Sequence, residues 1–103
     1  MSFATRLFFA ATLTVAGAAH GETTSKDADC VYQSQVVAAI QAARLERVKE
    51  AKLAEHIAST NPEWPERYNN MIAIMAGPIY DLKRRDIKSV DLGAQWKDRC
   101  IAQ

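Results

Sequence analysis

Between residues 64 and 88 the large apolar side chains recur at steps of three and four: Trp64, Tyr68, Met71, Ile72, Met75, Ile79 and Leu82. At about 100° per residue these positions fall within an arc of roughly 100°, the spacing of one helix face. No other stretch puts so many large apolar residues on one stripe, which predicts that this helix is the floor of the core rather than a binding groove. Gly77-Pro78 interrupts it. Proline removes an amide donor and crowds the carbonyl four residues back. The stripe nevertheless stays in phase, so the pattern predicts a helix that kinks and continues to Lys88.

Upstream, residues 30–59 contain no Gly and no Pro and are rich in Ala, Glu, Lys, Arg and Gln, all good helix formers. Tyr32, Val36, Ala39, Ile40 and Ala43 share a face, and Asp29 is placed to cap a helix starting at Cys30 or Val31. Ala51, Ala54, Ile57 and Ala58 return to that face, but Arg47 and Glu50 fall inside it. An unbroken helix over this stretch would be about 43 Å long, whereas a domain of this size has a radius of gyration near ~12 Å. A turn or sharp bend around residues 45–48 is therefore predicted. Asn61-Pro62 and Trp64-Pro65 mark the next reversal, and Glu63 and Glu66 lie where carboxylates favour a helix start. Ser89 or Asp91 caps a short last helix on which Leu92, Trp96 and Cys100 align. No useful strand-like alternation occurs. The expected fold is all-α, a small bundle of three to four helices closed by one disulfide.

The N-terminus changes the context. Arg6, an apolar run of thirteen over residues 7–19, and Ala19-His20-Gly21 have the form of a secretory signal peptide cut before Glu22. The run falls short of the ~20 residues that span a bilayer. Residues 1–21 are thus read as signal, 22–29 as a flexible arm and 30–103 as the helical domain, which leaves 82 residues in the exported chain. Residues 1–21 hold one of the 13 basic side chains and none of the 12 acidic ones, so the remainder is balanced. A neutral chain has no net field to draw it to nucleic acid or to an anionic membrane. In an exported protein, Cys30 and Cys100 read as a disulfide. Closing so long a loop is worth about 4 kcal/mol in the chain-entropy model, comparable to the ~3–5 kcal/mol that so small a core supplies.

Cys30, the Ala-rich segment 38–43, Arg44, Val48, the segment 71–80 with its tyrosine, and a last helix ending in Cys100 together resemble a group of small exported proteins of proteobacteria. In these an early cysteine is followed by a helical Ala-x-x-Arg-x-x-Gly-Val turn and, at the end, by a second cysteine. Arg47 stands where that pattern has glycine. The resemblance implies an all-helical two-cysteine fold. The group has no established activity, so none is implied.

The residues offer little for catalysis. His56 is the one histidine beyond residue 21, and with Glu55 it falls short of the three or four ligands of a zinc site. Ser34, Ser59 and Ser89 sit in no nucleophile elbow, and Gly77 and Gly93 are too few for a phosphate loop. Glu63 and Glu66 are explained by their helix start. No catalytic, metal or cofactor site is expected, and the chain is read as a non-enzyme. Lys83, Arg84, Arg85 and Lys88 have two readings: cations at the negative end of the central helix, interleaved with Asp81 and Asp86 on a solvated face, or an interaction surface. The function reached by elimination is a periplasmic or secreted protein-binding module, a monomer with a homodimer as the alternative, whose partner is another envelope or secreted protein. The alternatives are an acid- or stress-activated periplasmic chaperone and an immunity or inhibitor protein against a secreted toxin.

Overall fold

The computed structural model describes residues 25–103. The signal-peptide reading of residues 1–21, its cut before Glu22, and residues 22–24 of the arm lie outside the described residues. The described chain is all-helical: α1 (Lys26–Leu45), α2 (Leu53–Ser59), α3 (Asn70–Tyr80), α4 (Arg84–Ile87) and α5 (Leu92–Ala102), with 3-10 turns at Glu50–Lys52 and Glu66–Asn69. No helix among the described residues is long and apolar enough to cross a membrane.

α1 begins at Lys26, not at Cys30. Ser25 is its cap, Oγ accepting from Ala28 N at 3.1 Å. Asp27 and Asp29 fall in the first turn, where the helix dipole favours carboxylates. The stretch 26–29 expected to be a loose arm is therefore helical, and Asp29 is freed for another task. Its carboxylate accepts from the Tyr68 hydroxyl and, at 3.0 Å, from Gln33 Nε2.

The predicted turn is present. α1 stops at Leu45, and Arg47 adopts φ 67°. Val48 N donates to Ala43 O at 3.0 Å and Arg47 N to Arg44 O at 3.1 Å, the paired bonds of a Schellman motif. Glycine is usual at the left-handed position because a Cβ there costs roughly 1–2 kcal/mol. Arg47→Gly is thus expected to raise stability by up to about 1 kcal/mol, since glycine's greater freedom in the unfolded chain offsets part of the relief. A urea midpoint that falls instead would show that the arginine side chain holds the turn.

The long kinked helix is not present. α3 passes through Pro78 but ends at Tyr80, Lys83 is extended (ψ 140°), and residues 84–87 form a separate single turn. Of the stripe, Trp64, Tyr68, Ile72 and Ile79 are buried, and Ala76, outside the seven, is buried with them. Met71 and Met75 are only half-buried, and Leu82, beyond the helix end, is 40% exposed.

Nor is that stripe the organising element. α1 takes that place. Its Val36, Val37, Ile40 and Ala43 are almost wholly buried and meet Leu53 and Ile57 of α2 and Ile72, Ala76 and Ile79 of α3 in one core. α5 lies antiparallel along α1. Lys26 Nζ donates to Gln103 O, Cys30 bonds Cys100, Trp96 Nε1 donates to Gln33 Oε1 at 2.9 Å, and Leu92 N donates to Gln41 Oε1 at 3.1 Å. The Cα atoms of Cys30 and Cys100 are 5.6 Å apart, within the usual disulfide range. A Cβ on Gly93 would come within 2.8 Å of Ser34 O and 3.1 Å of Ala38 Cβ, so the bare glycine and the alanines of α1 let these helices approach. On the other side, Tyr68 meets Asp29 while Tyr80 Oη donates to Val48 O at 2.7 Å. The chain from 66 to 80 therefore runs parallel to α1, and α2 is the return between them.

Candidate functional site

Two side chains one turn apart on α1 pin the segment 82–92. Arg44 donates to Leu82 O, at 3.1 Å from Nη2 and 3.4 Å from Nε, and its guanidinium lies 5.4 Å from the centre of the Tyr80 ring. Gln41 Nε2 donates to both Ile87 O and Val90 O, each at 2.8 Å, while its Oε1 accepts from Leu92 N. Ile87 is buried beneath. The short α4 is thus held at both ends by a helix some forty residues earlier in the chain.

This pinning assembles the basic cluster. Lys83, Arg84 and Arg85 line a shallow open hollow with Arg44, and Arg84, Arg85 and Lys88 line an adjoining one with Leu45 and Arg47, each of about 460 Å³. All four cations singled out in the sequence are therefore together, and Arg44 and Arg47 join them from the α1 turn. Among the described residues, the cluster's one ion pair is Arg85 Nε to Asp86 Oδ1 at 3.8 Å, with both side chains well exposed. Such a pair contributes little. The cations do not end a long helix but occupy and flank a single turn, and Asp81 and Asp86 lie exposed among them, as on a solvated face.

The other candidates lie elsewhere. His56 Nε2 is 3.5 Å from Glu46 Oε1, an ion pair only when the imidazole is protonated. Ser34 and Ser59 donate their hydroxyls to Val31 O and His56 O. Glu63 and Glu66 are exposed. Among the described residues no three of His, Cys, Asp and Glu gather as metal ligands would.

The sequence reading missed Gln41. Its signal was available: Val37, Ile40, Gln41 and Arg44 are spaced i, i+3, i+4, i+7, a second face of α1 with two polar groups set into it. It also missed the polar chain that joins Tyr68 through Asp29 and Gln33 to Trp96.

Burial pushes the Tyr68 phenol above its ordinary value near ~10, and the Asp29 carboxylate adds to this while Arg67, 4.8 Å from the ring centre, opposes it. Burial also raises Tyr80, with Glu50 adding and Arg44 opposing. Both phenols keep their protons to higher pH folded than unfolded. Their contribution is therefore intact below about pH 10 and is lost as pH rises through the folded values. Urea midpoints are expected to fall on the alkaline side of that point. Tyr68→Phe should flatten the fall, and an unchanged slope in that variant would contradict the assignment.

No protein family, curated protein sequence or solved structure matches the chain.

Proposed function

We propose that the chain is a protein-binding module that works in the periplasm or outside the cell and takes an acidic partner into the basic hollow formed by the α1 turn and α4. The observation that carries this is Arg47. It occupies a left-handed position that suits glycine, has no ion pair among the described residues, and faces the hollow lined by Arg84, Arg85 and Lys88. Strain of this kind costs roughly 1 kcal/mol or more and collects at functional positions. A cation held there has no carboxylate partner in its own fold among the described residues, whereas it adds charge to a site for carboxylates. The signal-like N-terminus and the disulfide support an exported setting. The chain itself would be monomeric, with its core covered from within.

The test is retention of envelope and culture-fluid proteins on the immobilised, oxidised chain, run beside Lys83→Glu/Lys88→Glu. Both positions are exposed and engage no ion pair among the described residues. An acidic protein that is held by the unaltered chain, eluted by salt and lost on the charge-reversed surface is expected. Equal retention by both would overturn the proposal.

A further inference from the structure

Beside the basic hollow lies an apolar cleft of about 210 Å³ between the end of α3 and α5, whose lining includes Met75, Pro78, Leu82, Leu92, Trp96 and Arg99. The two share an edge. Leu82 lines the cleft, and its carbonyl is bound by the Arg44 guanidinium that lines the hollow. The next residue, Lys83, already belongs to the cations. Ile74, one turn before Pro78 and 66% exposed, extends the apolar strip along α3. These positions lie at the margin of the core: Leu82 is 40% exposed, while Met75, Leu92 and Trp96 are half-buried.

We infer that cleft and hollow form one bipartite surface, and that its ligand is a segment of another protein carrying a large apolar side chain flanked by carboxylates. This rests on the acidic-partner reading above and adds the anchor. An apolar cavity of roughly 150 Å³ accommodates a benzene ring, so the cleft has room for one aromatic or branched side chain. Its lining joins an adaptable methionine to a tryptophan, residue types that re-pack around ligands and dominate binding energies. Cations line both parts, Arg99 in the cleft and Lys83 with Arg84 in the adjoining hollow. An apolar residue entering the cleft would therefore set its neighbours against positive charge. This charge complementarity selects an acid-flanked anchor over a neutral or basic one.

Fluorescein-labelled peptides test this against the full oxidised chain by anisotropy. The first has a tryptophan with two glutamates on either side, the second replaces the tryptophan with alanine, and the third replaces the glutamates with glutamine. The first is expected to bind about tenfold more tightly than either of the others. Leu82→Asn should abolish the advantage over the alanine peptide, and Lys83→Glu/Lys88→Glu the advantage over the glutamine peptide, with urea midpoints little changed. Equal binding of the tryptophan and alanine peptides would overturn the bipartite surface and leave the acidic-partner reading standing. Binding only to vesicles of phosphatidylglycerol and phosphatidylcholine in equal parts, with no peptide bound, would overturn both and make the surface a membrane contact. The absence of all binding would overturn both as well.

Discussion

Replacing Cys30 and Cys100 together by alanine is expected to lower the unfolding free energy by about 4 kcal/mol. The two cysteines are 70 residues apart in sequence, so the bridge removes a long loop's freedom from the unfolded chain. The folded side points the same way. α5 contributes little apolar burial of its own: Gly93 is its one buried residue, and Leu92, Trp96 and Cys100 are only partly covered. The helix depends instead on the bond at Cys30, on the Trp96–Gln33 and Leu92–Gln41 hydrogen bonds, and on the close approach at Gly93. Two measurements check the expectation. The urea midpoint should drop while the slope rises, because the unlinked unfolded chain exposes more surface, and amide exchange in α5 should accelerate before that in α1. A loss below about 1 kcal/mol would mean that the bridge merely decorates a helix already secured by packing.

The second large effect is expected at Gln41. Gln41→Leu preserves the size of the side chain but leaves Ile87 O, Val90 O and Leu92 N without their partner. A buried group left unpaired costs about 1–3 kcal/mol. Two of these three bonds lie where water can partly replace them, so a total near ~3 kcal/mol is expected. The substitution also bears on function, because Gln41 touches no ligand yet fixes the far end of α4. The acid-flanked tryptophan peptide should bind more weakly to Gln41→Leu even in conditions where the variant is fully folded. Unchanged affinity would mean that the basic segment finds its position without the first helix.

Most of the helices were legible because their signals are local. The Trp64–Ile79 spacing, the Val36–Ile40–Ala43 face, the Asp91 cap, whose Oδ1 accepts from Ala94 N, and the turn after Leu45 all lie within a few residues of their cause. The end of α3 was not legible. Leu82 keeps the stripe in phase, and an apolar period cannot distinguish a continuing helix from one that stops two residues earlier. What stops it comes from far along the chain: Arg44 takes the Leu82 carbonyl, and Tyr80 reaches the Val48 carbonyl. The central place of α1 was hidden for a different reason. Its contact face relies on Ala38, Ala39 and Ala43 beside Val36, Val37 and Ile40, and small side chains let neighbours approach without advertising burial. The basic site was half legible. Lys83 to Lys88 were visible as a run, but Arg47 read as an intruder on an apolar face until the turn placed it opposite them.

That placement is tested most directly by mapping where an acidic ligand sits. Amide shifts of the oxidised chain would be followed as the acid-flanked tryptophan peptide is added at low and at moderate salt. Perturbations concentrated at residues 44–48 and 82–88, diminished by salt and lost in Lys83→Glu/Lys88→Glu, are the expected result. Perturbations of equal size on α2 and the outer face of α1, or a pattern unmoved by the charge reversal, would contradict it.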